Sequence, residues 1–221
     1  MQILLEDYYL LAVNKPAGLS SESGKERHPS AEREALFYFS QKLQQTSTSK
    51  RLKATPFLRV AHRLDRAASG VLVFAKTKAA LSHLMGQFEK REVEKIYWAE
   101  VEKPPREASG TLSDWLKKSP DGKKAIVSQK GIHDAQLCEL EYKLLEMKGK
   151  NALLEVRPRT GRFHQIRAQL AHIGCPIVGD VLYGGHFWKD NQIKLHACRL
   201  VFKHPKTGEQ VELEALPGED W

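Results

Sequence analysis

The amino-acid sequence predicts an α+β fold, with a mostly antiparallel mixed sheet and flanking helices. Short apolar runs recur along the chain and are separated by the turn formers Pro, Gly, Asn and Asp. Only two or three segments repeat apolar residues at the spacing of a helix. Many short strands with few helices favour this fold class. The length of 221 residues favours one domain, 1–221, with the polar stretch 20–56 as a flexible insertion within it.

Most strands are predicted from apolar or alternating runs that end at turn residues. The opening ILLEDYYLLAV indicates two strands before the turn NKPAG, and VLVFA, residues 71–75, indicates a buried strand. KIYWAEV, residues 95–101, alternates as a strand does, with apolar groups on both faces. SPDGKK, residues 119–124, is a turn signal. Further strands are expected at LCELEYKLLEM, NALLEVRP, IKLHACRLVF and VELEA.

Two helices are predicted in the first half of the chain. Ser30, followed by acidic residues, is placed to begin a helix that runs to about Leu43. Thr77 is placed to cap the second helix, in TKAALSHLMGQFEKREV. The second helix is expected to pack through the apolar stripe Leu81, Leu84, Met85 and Phe88.

A third helix is predicted after Pro158, with Gly174 at its end. Its apolar stripe consists of Phe163, Ile166, Leu170 and Ile173. At about 100° per residue, Arg167 lies about 40° from Phe163, on the flank of this stripe. An arginine there needs a countercharge, because an unpaired charge is costly to bury. Asp65, between two arginines in HRLDRAASG, is a candidate partner; an unrelated pair or a structural salt bridge is the alternative.

The chain is basic, with 35 Lys and Arg against 27 Asp and Glu and a net charge of +8. This charge favours an anionic partner such as nucleic acid, and an ordinary basic surface is an equal alternative. Basic residues concentrate at residues 62–70 and again at residues 157–167. The second cluster lies where the third helix starts, which predicts either a phosphate-binding surface or a solvated charged face.

Three cysteines, far apart and odd in number, predict a reducing compartment, and we expect the cytoplasm. The first residues carry Glu6 and Asp7 without a basic segment, and no apolar run approaches 18 residues, so no export signal or membrane contact is expected. The sequence contains no P-loop, GxGxxG, HExxH or zinc spacing, so no cofactor and no metal are expected. The lack of a heptad seam predicts a monomer.

Five ordered segments resemble the RluA-type pseudouridine synthase family. HRLDRAASGVLVFAKT, residues 62–77, is similar to the family motif HRLDxxTSGLLLFAKT, and KIYWA, residues 95–99, to KxYxA. TGRFHQIRAQLAHIGCPIVGDVLYGG, residues 160–185, is similar to TGRTHQIRxHLxxxGxPIxGDxxYGG. The opening and closing segments also resemble those of the family, so the resemblance runs from about residue 3 to 216.

The resemblance implies the catalytic fold of these synthases, with a central RNA-binding cleft, and an isomerase of the intramolecular transferase class. Such an enzyme converts a uridine within RNA into pseudouridine and needs no cofactor or metal. By resemblance Asp65 is the catalytic carboxylate, acting either as a nucleophile on C1′ or as a base at the ribose 2′ position. Tyr97 would stack on the base and is a possible general base, and Arg167 would pair with Asp65.

Further side chains are expected to contact the RNA around a flipped-out uridine. They are His62, Arg63, Arg66, Lys95, Arg159, Arg162, His164 and Gln165. The chain departs from the family pattern at Ala68, where Thr is usual, at Phe163, where Thr or Ser is commoner, and at Gln169, where His is frequent. The resemblance starts at the catalytic domain, without the S4-type RNA-binding domain of many relatives. RNA choice is therefore expected to depend on the domain's own loops, such as 20–56, or on the shape of the RNA.

Two other functions are compatible with parts of the pattern. A non-catalytic RNA-binding protein that retains the fold would not need Asp65, Tyr97 and Arg167 together. A glycoside hydrolase usually needs two carboxylates, whereas these motifs offer Asp65 and Asp180, and we expect Asp180 to have a structural role. The sequence does not distinguish transfer RNA from ribosomal RNA as the substrate.

Overall fold

Eleven β-strands, three α-helices and one 3₁₀ turn form the part of the chain that the computed structural model describes, residues 1–24, 29–46, 56–218 and 221. The strands form a largely antiparallel sheet, and the α+β class predicted from the sequence is confirmed. The residues group into two units, one of 1–93 with 200–216 and the other of 94–199 with 217–221. The expectation of a single domain stays a prediction.

The first unit contains a sheet with strands in the order β1, β2, β4, and β3 pairs with β4. Each residue of β2 lies opposite one of β4, from Leu10 opposite Ala75 to Lys15 opposite Gly70. This register places the end of β2 beside the loop that precedes β4. The elements of this unit are β1 (Gln2–Glu6), β2 (Leu10–Lys15), α1 (Ala31–Thr46), β3 (Arg59–Val60), β4 (Ser69–Ala75), α2 (Lys78–Glu89), β11 (Gln210–Glu214) and the last residues of β10 (Leu195–Lys203).

Helix α1 begins where the sequence predicts, directly after Ser30, and ends three residues beyond the predicted end near Leu43. The Ser30 hydroxyl oxygen accepts a hydrogen bond from the Arg33 backbone N–H at 3.2 Å, which caps the first turn. The helix continues to Thr46. The proposed insertion 20–56 therefore contains this helix. Residues 25–28 and 47–55 of the insertion lie outside the described residues.

Helix α2 confirms the predicted cap but not the whole predicted stripe. The Thr77 hydroxyl oxygen accepts from the Ala80 N–H at 3.1 Å. Leu84 is buried in the core of the unit, whereas Met85 is 55% exposed, so its place in the stripe is wrong. Gln87 is buried instead, because its amide bonds both the N–H and the carbonyl of Lys203, each at 2.8 Å.

The second unit contains antiparallel strands in the order β5, β9, β8, β6, β7. All strands predicted in this part are present, and 119–124 forms the expected turn. Strands β6 and β7, on either side of that turn, were not predicted because SGTLSDWLKK is mostly polar and AIVS is short. The elements are β5 (Glu94–Val101), β6 (Ser109–Lys118), β7 (Ala125–Ser128), β8 (Gln136–Lys148), β9 (Asn151–Pro158), α3 (Gln165–His172) and the first residues of β10.

Helix α3 is shorter than the sequence predicts at its start. Its first residue is Gln165, and Phe163 and Ile173 are exposed, so neither belongs to a packed stripe. The Gln165 side-chain oxygen accepts from the Thr160 hydroxyl at 2.7 Å and from the Arg162 N–H at 3.1 Å. These bonds fold the preceding residues into a turn, which is why the helix does not extend back to Phe163.

The end of α3 confirms the predicted role of Gly174. Its φ of 80° is a left-handed conformation that costs glycine little. The N–H groups of Gly174 and Cys175 donate to the carbonyls of Ala171 and Leu170, both at 3.0 Å, which is the Schellman arrangement. Among the described residues, no helix has the length and apolar content needed to span a membrane.

Candidate active site

A buried serine, Ser21, holds the Asp65 loop of the first unit through two hydrogen bonds to the backbone. Asp65 lies half-buried between β3 and β4, and its carbonyl accepts from the Ala68 N–H at 3.1 Å. The neighbouring Leu64 is buried. The Ser21 hydroxyl donates to the Leu64 carbonyl at 2.8 Å and accepts from the Leu64 N–H at 2.9 Å. The backbone next to the carboxylate is therefore held by a segment more than 40 residues away in sequence.

Lys15 is a buried cation beneath the same loop. It has no exposed surface, and its Nζ donates to the carbonyls of Ala68 at 2.6 Å, Leu19 at 2.8 Å and Pro16 at 2.9 Å. Burial lowers the pKa of Lys15 to about 7, and the charge of Asp65 acts in the opposite direction. Sequence reasoning missed Lys15, although a lysine at the end of the apolar strand LLAVNK was a signal for a buried charge.

Two of the predicted RNA contacts in this unit are exposed and one is not. Arg63 is exposed and forms an ion pair with Glu22 at 2.9 Å. Arg66 is exposed, and its Nε donates to the Gly18 carbonyl at 3.0 Å. His62 is half-buried, since its Nε2 accepts from the Val73 N–H at 3.2 Å and its ring stacks on that of Phe88. Both arginines therefore present charge at the surface on either side of Asp65.

Ala68 is one of the departures from the family pattern, and it is enclosed by the protein. The residue is buried, and its carbonyl is the acceptor closest to the Lys15 ammonium. Its contribution to the loop is thus made through the backbone. A hydroxyl is not needed for that contact.

Tyr97 and Arg167 lie in the second unit. Tyr97 is half-buried on β5, opposite Val156 of β9. Lys95, two residues earlier on the same strand, donates from Nζ to the Thr160 carbonyl at 3.3 Å. The strand therefore ties the region of Tyr97 to the turn that precedes α3.

Arg167 is buried against a carboxylate of its own unit, Asp180. Its Nε and Nη2 donate to the two Asp180 oxygens at 2.7 and 2.8 Å, and the guanidinium carbon lies 5.0 Å from the centre of the Tyr183 ring. The sequence predicts a buried countercharge for Arg167, and Asp180 provides it. The same pairing gives Asp180 a structural role, as we expected. The pairing of Arg167 with Asp65 stays a prediction.

A tight glycine turn brings Asp180 to this position. The Gly185 N–H donates to the Asp180 carbonyl at 2.9 Å. A Cβ at Gly185 would lie 2.3 Å from the carbonyl oxygen of Ile177, closer than any side chain permits. The sequence VGDVLYGG therefore needs glycine there so that Asp180 can reach Arg167.

The remaining predicted RNA contacts lie around the start of α3 and differ in exposure. Arg159 is exposed and paired with Glu141, and Arg162 is exposed. The His164 ring stacks on Phe163 with centroids 3.8 Å apart. Gln165 is buried and holds the turn described above. These side chains lie close together along the turn. Gln165 differs from the exposed arginines because it is buried and holds the turn in shape.

Gln169, another departure from the family pattern, is also a buried structural group. Its Nε2 donates to Asp114 at 2.8 Å, and its oxygen accepts from the Gln165 amide at 3.0 Å. The buried cysteine Cys138 lies nearby and is a free thiol, as are Cys175 and Cys198. Among the described residues, no group of three His, Cys, Asp or Glu side chains is arranged to hold a metal ion.

Comparison with known proteins identifies the family. The sequence model of the RNA pseudouridylate synthases matches residues 9–172, which include Asp65, Tyr97 and Arg167. This chain is an RNA pseudouridylate synthase family member. Enzymes of this family are isomerases that act on RNA, so the predicted enzyme class and substrate class are confirmed.

Several curated synthases are similar to the chain over most of its length. The dual-specificity RNA pseudouridine synthase RluA of Vibrio vulnificus is 32% identical over 216 residues, covering 93% of this chain and 79% of that protein. The tRNA pseudouridine synthase C of Vibrio cholerae is 31% identical over 242 residues, covering 100% and 93%. The solved structure of human RNA pseudouridylate synthase domain containing 4 is 25% identical with a TM-score of 0.77, covering 99% and 89%.

Proposed function

We propose that this synthase isomerises one specific uridine in transfer or ribosomal RNA, with Asp65 as its catalytic carboxylate. In the reaction the N1–C1′ bond breaks, a C5–C1′ bond forms, C5 loses a proton and N1 gains one. Asp65 acts on the ribose, either by attack on C1′ or by removal of the 2′ proton. The observation that carries the proposal is the position of Asp65 on a loop fixed by two buried side chains, Lys15 and Ser21.

The surroundings of Asp65 suit a carboxylate that must be charged and directed at a sugar. The buried Lys15 ammonium is attracted to the Asp65 charge, which raises the pKa of Lys15 against the lowering effect of burial. Its carbonyl partners, which include those of Arg66 and Ala68, hold the backbone of the loop. A fixed, ionised carboxylate reduces the reorganisation that the reaction requires.

Tyr97 and Arg167 are proposed to act with Asp65 on the same nucleotide. Tyr97 would stack on the uracil and accept the C5 proton. Arg167 would pair with Asp65 while its Nε and Nη2 groups bond Asp180. The exposed Arg63 and Arg66 would contact the phosphates on either side of the flipped uridine. We retain His62, Lys95, Arg159, Arg162, His164 and Gln165 as proposed RNA contacts.

The proposal is tested by comparing Asp65→Asn with Asp190→Asn, which removes an exposed carboxylate outside these segments. Both variants and the unmodified protein are incubated with tRNA and rRNA from cells that lack the enzyme, and pseudouridine is mapped in each pool. Asp65→Asn should form none while binding the same RNA within about twofold, because only one carboxylate oxygen is replaced. Asp190→Asn should be fully active.

Pseudouridine made by Asp65→Asn would disprove the assignment of the carboxylate. Product confined to one pool identifies the substrate as tRNA or rRNA, and product in both indicates dual specificity. If the unmodified protein binds RNA but forms no pseudouridine in either pool, the alternative of a non-catalytic RNA-binding protein is favoured.

A further inference from the structure

We infer that a basic groove in the second unit binds an additional, single-stranded nucleotide of the substrate RNA, with Phe163 as its stacking surface. The groove has a volume of about 690 Å³ and lies among the β6–β7 hairpin, residues 132–136 and the turn that precedes α3. The inference rests on the proposed function, because it assumes an RNA substrate. It adds a stacking contact at Phe163 to the RNA contacts proposed above.

Phe163 is an exposed aromatic ring on the turn that precedes α3. It is 39% exposed, and its ring lies on that of His164 with centroids 3.8 Å apart and planes 19° apart. Burial in a core therefore does not explain a phenylalanine at this position. Aromatic rings at the surface of RNA-binding proteins stack on unpaired bases of any identity, because every base has an aromatic face.

The backbone around Phe163 is held in place by buried groups. The Arg162 N–H donates to the buried Gln165 side chain at 3.1 Å. His164 adopts a left-handed conformation with φ of 51°, and its Nδ1 lies 3.2 Å from the Tyr183 hydroxyl. A non-glycine residue in this conformation is uncommon and often marks a functional segment. The turn therefore presents Phe163 at the surface without help from a ligand.

The groove also carries the charge that a phosphate backbone requires. Lys117, Lys118 and Arg162 line it, and Lys118 Nζ lies 5.0 Å from the centre of the Phe163 ring. Asp134 lines it as well and contacts His133 Nδ1 at 2.9 Å. Residues 117–134 contain five lysines and one histidine against two aspartates, so the hairpin as a whole is basic.

The combination favours single-stranded RNA over other partners. Proteins that bind single strands join a positively charged groove to an aromatic stacking surface, and both features are present within 5.0 Å here. A duplex keeps its bases stacked and offers no base face to Phe163. An acidic protein would satisfy the lysines, but it would leave the aromatic ring unused.

The stacking contact is tested with Phe163→Ser, Phe163→Trp and the control Phe37→Ser, which removes a more exposed phenylalanine on α1 of the first unit. The probe is fluorescein-labelled dodecauridylate, titrated with each full-length protein. Phe163→Ser should bind at least about fivefold more weakly, the lower end of the cost of removing a stacking ring. Phe163→Trp should bind as tightly as the unmodified protein, and Phe37→Ser should be unchanged.

The charge contribution is tested by the salt dependence of the same titration. Each phosphate contact to a single strand contributes about 0.7 to the slope of log K against log salt concentration, so Lys117→Gln with Lys118→Gln should reduce the slope by about 1.4. Lys78→Gln with Lys206→Gln removes two exposed lysines outside the groove and should leave the slope unchanged. Circular dichroism of all variants checks that the fold is intact.

The results separate the inference from the proposed function. If Phe163→Ser and the Lys117, Lys118 double variant bind dodecauridylate with unchanged affinity and salt slope, the inference is wrong, whether or not the protein forms pseudouridine. If those variants lose binding and the unmodified protein forms no pseudouridine, the groove stands and the proposed function fails. If the inference and the proposed function are both correct, the Phe163→Ser enzyme should need a higher RNA concentration to reach its half-maximal rate. Its rate at saturating RNA should equal that of the unmodified enzyme.

Discussion

Lys15→Met should change how the stability of the protein depends on pH. Burial lowers the pKa of Lys15 from 10.5 to about 7, so between these values the unfolded chain binds more protons at this site than the folded one. The free energy of unfolding therefore rises with pH across this window. Linkage gives a rise of about 2–3 kcal/mol between pH 6 and pH 9 from this residue alone.

The assay is urea denaturation of the unmodified protein and Lys15→Met at pH 6, 7.5 and 9, followed by circular dichroism. Methionine has a similar length but no titrating group, so the free-energy difference between the two proteins should increase with pH in favour of the unmodified one. Lys206→Met, an exposed lysine, controls for the loss of one positive charge. Asp65→Asn should move the window to lower pH, because the Asp65 charge raises the pKa of Lys15. Parallel pH dependences for the unmodified protein and Lys15→Met would refute this account of the loop.

Three further predictions concern the second unit. Asp180→Asn should lower the free energy of unfolding by about 3–5 kcal/mol in urea denaturation, because the buried Arg167 loses its countercharge; a loss below about 1 kcal/mol would contradict a buried pair. Gly174→Ala should cost about 1–2 kcal/mol in the same assay, since alanine is strained at φ of 80°, and no loss would mean that the turn relaxes. Burial raises the pKa of the Cys138 thiol to about 11, so at pH 8 a thiol reagent should modify Cys138 only after urea unfolding; rapid labelling of the native protein, located by mass spectrometry, would contradict this.

The fold could be predicted where local sequence decides the structure. Apolar runs bounded by turn residues located β2, β4, β8 and β9, and the cap at Thr77 and the stop at Gly174 need only their own neighbours. Errors arose where a distant partner decides. Gln87 is buried because it bonds the backbone of Lys203, 116 residues away, and no helical period contains that information. The polar strand β6 likewise depends on pairing with β8.

The same distinction applies to the candidate site. The need of Arg167 for a carboxylate follows from burial and could be predicted, but its partner Asp180 reaches it only through a glycine turn whose shape the sequence does not specify. Lys15 was missed because a single lysine after an apolar strand is usually exposed. Its role requires three carbonyls from two segments, and the antiparallel register of β2 and β4 brings those segments together.

The two buried cations support the proposed chemistry in different ways. The partners of Lys15 are neutral carbonyls, and burial lowers its pKa to about 7, so its charge acts on Asp65 only while the amine is protonated. Arg167 faces a full negative charge in Asp180, and the pair is close to neutral as a unit. We expect Arg167 to contribute direction, since the fork to Asp180 fixes the plane of the guanidinium. We therefore expect Lys15 to act on Asp65 through its charge and Arg167 to act through a fixed orientation.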